Sequence, residues 1–538
     1  LVAGKVEKIF RLIKYEPDLP TVRLKTAMLT RRSSGILLHV TSLPGPYGIG
    51  TIGRGAFEFL DFLQAAGQSC WQILPCGPVS AAFDNSPYMS LSAFAGNQLL
   101  IDPEQLVEDG LLSRGQLPSP PRFSEYLVDF DQVRAFNQEF MDVAFKEFVS
   151  AGGAPEFNAF CNDEVWLGDH AFFMALREKF VSSPWVAWPN GLPCRDSAVV
   201  CHWREELKAR ILFHKFAQYC FAGQWRKLRD HAHGRGIRLV GDLPIYVAFD
   251  SADVWAHQDC FLLDRRTGMP THVAGVPPDY FSDDGQRWGN PIFRWKTGKI
   301  FNGSLLAWWR ERFARVHSLV DAVRIDHFRG FEAYWQIPAN EETAINGKWT
   351  AGPGLAFFAG MKDVIGDMQI IAEDLGVITP EVVALRDSLG YPGMKVLQFA
   401  FDSGSGNAYL PHNYETNNCV VYTGTHDNDT TLGWYLSDKS SSVARDMALR
   451  YANSRGERIH WDFIRLAYAS VAALAMVPLQ DVLGFGSDCR MNIPGTARGN
   501  WRWRCAARFL TAATAEALRE EAACYNRLPS YPEKGDAG

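Results

Sequence analysis

Eight short β-rich apolar runs, separated by segments with helical spacing, predict an α/β chain folded as a (β/α)8 TIM barrel with large, partly helical insertions. Two further observations support that class. The first run closes on the segment His39 to Gly45, which lacks the GxGxxG turn that a doubly wound dinucleotide fold needs. At 538 residues the chain is far longer than the roughly 250 of a bare barrel, so its loops must carry insertions.

The strands are expected near Ile36–Val40, Trp71–Leu74, Leu99–Ile101, Ile237–Leu243, Leu319–Asp326, Gln369–Glu373, Lys395–Phe401 and Cys419–Thr423. After the first, Phe57–Ala66 has helical spacing, with Phe59, Leu60, Phe62 and Leu63 on one side. The interval from Ile101 to Ile237 is too long for one connection. Much of it is helical in pattern, as in Glu206–His231, so an insertion of about residues 102–236 is expected within one catalytic domain spanning 32–538. The most apolar stretch, Leu466–Leu479, is interrupted by Ser470 and is shorter than the roughly 20 residues that span a bilayer. It reads as a buried helix, and no membrane partner is expected.

Residues 1–31 form a basic N-terminal extension, in which Lys5, Lys8, Arg11 and Lys14 outweigh Glu7 and Glu16. The first residue is Leu1, so the chain reads as processed or truncated, and the arm as a remnant beside an organellar transit segment. An ordinary solvated arm has the same composition.

With 54 Lys+Arg against 60 Asp+Glu, the net charge of -6 argues against a nucleic-acid-binding face. The 11 cysteines are scattered with no CxxC pair, which reads as reduced thiols and not as a zinc or redox site. No cofactor and no metal is expected. Seventeen tryptophans exceed what packing alone asks of a core, and flat rings also suit the apolar faces of sugars.

Three apolar runs end in a carboxylate: Asp326, Glu373 and, just beyond the last, Asp427. In a barrel the C-terminal strand ends form the catalytic face, so three such endings point to a convergent acidic site. Arg324 precedes Asp326 by two and shares its face of a strand, so the guanidinium is expected to lower the Asp326 pKa, as suits a nucleophile. Glu373 has no basic neighbour in its run, and burial is expected to raise its pKa toward that of a general acid. Two carboxyls separated in this way are the pattern of glycoside cleavage.

The chain resembles the 4-α-glucanotransferases, the amylomaltases or disproportionating enzymes of glycoside hydrolase family 77, and is most similar to the plastidial members. The motifs that carry the resemblance are Gly35 to Gly45, Asn85 to Tyr88, Gly241 to Val247, Gly275 to Pro291, Arg324 to Gly330, Ala372 to Gly376, Thr425 to Asn428 and Pro494 to Trp501. It runs from Arg32 through Arg504. Residues 1–31 and the tail beyond about Ala507 depart from it.

The resemblance implies a retaining α-1,4-glucan transferase with Asp326 as nucleophile, Glu373 as acid/base and Asp427 as third carboxylate. It places Arg324, His426, Ser86, Tyr88, Gln286, Trp288, Asp242 and His327 around the sugars, with Tyr88 stacking, and gives His39, Arg329 and Asp374 weaker claims. Maltooligosaccharides, α-1,4-glucans and glucose as an acceptor are the implied partners. Gly275–Pro291, rich in Gly and Pro and carrying Tyr280, Phe281 and Trp288, has too few apolar alternations for a strand and is expected to be a lid. An amylase-like hydrolase uses the same three carboxylates, and a non-catalytic glucan-binding barrel would keep the fold. The basic arm and the plastid-type motifs imply the plastid stroma, with a bacterial cytoplasm as the alternative.

Overall fold

The computed structural model describes residues 31–278, 282–438 and 440–529. The basic arm up to residue 30, Tyr280, Phe281 and the C-terminal tail lie outside the described residues.

Eight parallel strands build a nearly closed barrel. They are β1 (Ser33–Leu37), β2 (Cys70–Gln72), β3 (Arg238–Pro244), β4 (Ala322–Asp326), β5 (Gln369–Ala372), β6 (Gly393–Val396), β7 (Cys419–Tyr422) and β8 (Leu474–Pro478). Around the ring they run β5-β4-β3-β2-β1-β8-β7-β6, every neighbouring pair parallel. The seam lies between β5 and β6. There Ala372 N–H donates to the Pro392 carbonyl at 2.9 Å, and Met394 N–H to the Asp374 carboxylate at 2.7 Å.

The strands are buried almost throughout, because helices cover the outside and side chains fill the inside. Helix Arg54–Ala65 buries Phe59, Leu60 and Leu63 completely, and Phe59 meets the ring of Trp71 on β2 edge-on at 5.1 Å. Each such side chain contributes about 1.5–3 kcal/mol on leaving water. Trp71 keeps its polar atom satisfied by donating to the Leu38 carbonyl at 2.8 Å.

Four sequence expectations are corrected. Leu99–Ile101 is not a strand: Gln98–Leu100 is one turn of 3-10 helix, capped by the Asn97 side chain, which accepts the Leu99 N–H at 3.1 Å. The Leu100 carbonyl instead anchors Ile52 N–H at 2.8 Å. The eighth strand is β8, inside the stretch read as one buried helix. Helix Ile459–Ala469 stops at Ser470, which is extended (φ -59°, ψ 162°), and the chain re-enters the barrel between β1 and β7. A strand buried on both faces has no alternation to distinguish it from a buried helix.

Between Leu100 and β3 the chain is helical, with Phe130–Ser150, Leu167–Lys179 and Lys208–Gly234 the longest segments. The expected helix Glu206–His231 is two helices, Ser197–Glu206 and Lys208–Gly234, breaking at Leu207.

The expected strandless lid is also corrected. Strands His272–Val276 and Gln286–Pro291 bracket its turn and belong to a four-stranded antiparallel sheet with Ala333–Pro338 and Lys348–Ala351. Gly275 is required there, since a Cβ would lie 2.1 Å from the Gln286 carbonyl oxygen. A bulge between Val273 and Gly275 breaks the alternation that would have revealed the strand.

Candidate active site

Asp326 is the last residue of β4, and Glu373 follows β5 directly. Their strands are neighbours, Ile325 pairing with Ala372, so both side chains arise at one place on the barrel rim. Asp242 on β3 is in register with Arg324 on β4, which aims both into the barrel interior. Arg324 donates through Nη1 to both Asp242 oxygens, at 2.9 and 2.7 Å, and through Nη2 to Asp326 Oδ1 at 2.8 Å. The Asp242 side chain has no exposed surface, whereas that of Asp326 is 30 % exposed toward the cleft. A buried guanidinium is thus shared between the fully buried carboxylate of Asp242 and the partly exposed one of Asp326.

The expected lowering of the Asp326 pKa is not found. Burial outweighs Arg324, and the charges of Asp242 and Asp427 add to it, so the pKa is pushed up to about 6. Glu373 rises further, to about 8, because burial and then the charges of Asp326 and Asp374 exceed the opposing effect of Arg324. The two carboxyls titrate as a pair, Glu373 holding the proton above Asp326.

Glu373 is oriented by backbone. His327 N–H donates to Oε2 at 2.8 Å and Leu375 N–H to Oε1 at 3.0 Å. His327 itself is left-handed (φ 53°, ψ 47°), a conformation costing of order 1–3 kcal/mol for a residue with a side chain. The His327 ring meets Trp288 edge-on at 4.8 Å, and Gln286 accepts the Trp288 indole N–H at 3.2 Å. Trp288 therefore faces the segment that follows Asp326, and Gln286 fixes its ring. Asp374 turns the other way, to Arg386 and Met394.

A second group assembles over β2 and β7. Tyr88 donates to Asp242 Oδ2 at 2.8 Å, and its oxygen lies 2.8 Å from His426 Nε2. With the phenol proton on Asp242, the imidazole Nε2 is the donor to Tyr88. The two rings stack at 5.2 Å and 12°, so one face of Tyr88 is taken by His426. Burial lowers the His426 pKa, against the pull of Asp427. Ser86 accepts the Tyr88 N–H at 3.3 Å and so shapes this loop. His39 lines a small cavity with His426, and burial holds its pKa near 3.

Asp427, 43 % exposed, lies 3.3 Å from His426 Nε2 and accepts from Asn492 Nδ2 at 2.6 Å. Arg490 donates to the Asp427 backbone carbonyl. Trp501, left-handed at φ 63°, tilts against Tyr88 at 5.8 Å and His426 at 6.1 Å. Arg490, Asn492 and Trp501 were not anticipated as site residues. Their sequence signal was the Pro494 to Trp501 motif, which ends at Trp501 and begins two residues after Asn492.

The arrangement offers two carboxyls of unequal pKa at neighbouring strand ends, with Asp427 and aromatic rings close by. Comparison with known proteins agrees with that chemistry. A 4-alpha-glucanotransferase family model matches residues 38–511. The chain is 50% identical to a 4-alpha-glucanotransferase of Synechocystis sp., over 89% of this chain and 94% of that one. It is 44% identical to a chloroplastic/amyloplastic 4-alpha-glucanotransferase of Solanum tuberosum, over 93% and 87%. An amylomaltase of Streptococcus agalactiae in complex with acarbose superposes with a TM-score of 0.87 at 38% identity, over 93% of this chain and 100% of that one. The chain belongs to the 4-α-glucanotransferases of glycoside hydrolase family 77.

Proposed function

We propose that this 4-α-glucanotransferase works by a retaining double displacement in which Asp326 is the nucleophile and Glu373 the acid/base. The observation that supports it is the pairing at neighbouring strand ends of a carboxyl near 6 with one near 8. At pH 7 Asp326 is largely ionised and Glu373 largely protonated, as attack and leaving-group protonation require. Glu373 gives its proton to the glycosidic oxygen as the C1–O bond breaks, and an Asp326 carboxylate oxygen bonds to C1. The glucan is then an ester of the enzyme. Glu373, now ionised, takes the proton of an acceptor 4-OH, whose oxygen displaces Asp326 from C1. Asp427, steered by Asn492 and His426, bonds the hydroxyls of the reacting glucose, where such bonds tighten as the ring flattens.

The substrates are maltooligosaccharides and longer α-1,4-glucans, with glucose as the smallest acceptor. Arg324 and Asp242 set the charge of Asp326. Tyr88, Ser86, Gln286, Trp288 and His327 shape the sugar path. Maltotriose supplies the test: transfer yields glucose and longer oligomers with no gain in reducing ends, whereas a rise in reducing ends would assign an amylase-like hydrolase.

The plastid stroma is the proposed location, supported by the basic arm and the plastid-targeted relative in Solanum tuberosum. Fractionation of cells expressing the complete gene product decides it, and recovery outside plastids refutes it.

A further inference from the structure

Trp349, on the edge strand Lys348–Ala351, remains 41 % exposed. Its ring is nevertheless held firmly. The Arg329 guanidinium lies over one face at 3.8 Å, and Trp335, its cross-strand partner, meets it edge-on at 5.3 Å. Arg329 also donates to the Val377 carbonyl, in the loop that follows Glu373. That loop is tied to the segment after Asp326, since Phe328 N–H donates to the Glu373 carbonyl at 3.2 Å. A partly exposed tryptophan is thus braced against the loops that carry the nucleophile and the acid/base.

Its side of the rim is informative. Tyr88, His426, Asp427 and Asn492 gather over β2 and β7, where they hold the glucose bonded to Asp326. Glu373 protonates the oxygen of the departing chain and later activates the acceptor, so acceptor sugars lie on its side, over β4 and β5. Trp288 lies on one edge strand of the four-stranded sheet, and Trp349 on the opposite edge strand.

We propose that Trp349, braced by Arg329 and Trp335, is an outer acceptor subsite that stacks a glucose ring of a long α-1,4-glucan. The inference rests on the transferase reading and extends it to chain length. The apolar face of a pyranose ring matches the exposed part of the indole, and a ring already immobilised loses little entropy on binding. Glucose as an acceptor occupies only the place beside Glu373 and does not reach Trp349.

The test uses the full chain with maltotriosyl fluoride as donor, fluoride release as readout, and glucose or maltohexaose as acceptor. In Trp349→Ala the KM for maltohexaose should rise about five- to tenfold relative to that for glucose, with kcat retained. Trp349→Phe should recover most of the difference. Equal shifts for the two acceptors, no shift, or a kcat loss that follows a falling Tm in both variants would make Trp349 a packing residue and overturn the proposal. A changed oligomeric state with an unchanged KM ratio would assign this face to a second copy of the chain and overturn it too. Glucose and longer oligomers formed by the unmodified chain from maltotriose keep failure of the subsite distinct from failure of the transferase reading.

Discussion

The ends of β4 and β5 lie side by side and hold their carboxyls by different means. Asp326 is fixed by a side-chain charge, Arg324, which is itself clamped by Asp242 from the next strand. Glu373 is fixed by two backbone N–H groups, from His327 and Leu375. Burial raises both pKa values, and the direct guanidinium contact restrains the rise at Asp326. The difference teaches that a barrel can separate two carboxyls by the side chain two residues back on one strand, without moving either from the rim.

The largest expected effect comes from removing one side of the comparison. Asp326→Ala should lower kcat by about four orders of magnitude or more while changing maltooligosaccharide affinity by less than about tenfold, since it deletes the bond-forming group and leaves the sugar contacts. Single-turnover kinetics with a binding titration measures both, and a fully active variant ends the nucleophile assignment.

Asp242→Ala should separate stability from charge. It strands part of a buried ion pair, and unfolding in urea should show a loss of about 3–5 kcal/mol. Its charge raises the Asp326 pKa, so its removal should move the acidic limb of the pH profile to lower pH. In the unmodified enzyme kcat/KM should rise with pH through about 6, as Asp326 ionises, and fall through about 8, as Glu373 loses its proton. An acidic limb that stays in place in the Asp242 variant would show that Arg324 alone sets Asp326.

Asn492→Ala should cost roughly tenfold in kcat/KM, the loss of one hydrogen bond to a charged group, with Tm nearly unchanged. An unaltered rate would mean that His426 suffices to orient Asp427.

The smallest effect is expected at Trp288→Ala, a few-fold shift from transfer toward hydrolysis as the acceptor side loosens and water reaches the glucan ester. Free glucose measured beside oligomers gives the ratio. Equal loss of both activities together with Tm would reduce Trp288 to packing against His327.

The barrel was legible where strands stand apart from their helices and end in a charged residue, as at Asp326 and Glu373. It was illegible at β8, whose apolar run continues that of the preceding helix, and at Leu99–Ile101, where three apolar residues anchor a turn. The carboxylates of the site were legible because each closes a strand or follows one closely. The pKa of Asp326 was misjudged because sequence spacing reveals Arg324 but not the depth of burial or the distant Asp242 and Asp427. The grouping of Tyr88, His426, Asn492 and Trp501 joins loops hundreds of residues apart, and no local pattern announces such a meeting.

The seam between β5 and β6 gives this hoop an order of failure. Elsewhere each staved joint is a backbone ladder, but here the Asp374 carboxylate substitutes for a rung by accepting Met394 N–H. A hoop under thermal load parts at its clasp, and this clasp stands one residue from Glu373. Gentle heating should therefore silence catalysis while the other joints remain shut, so loss of activity precedes melting.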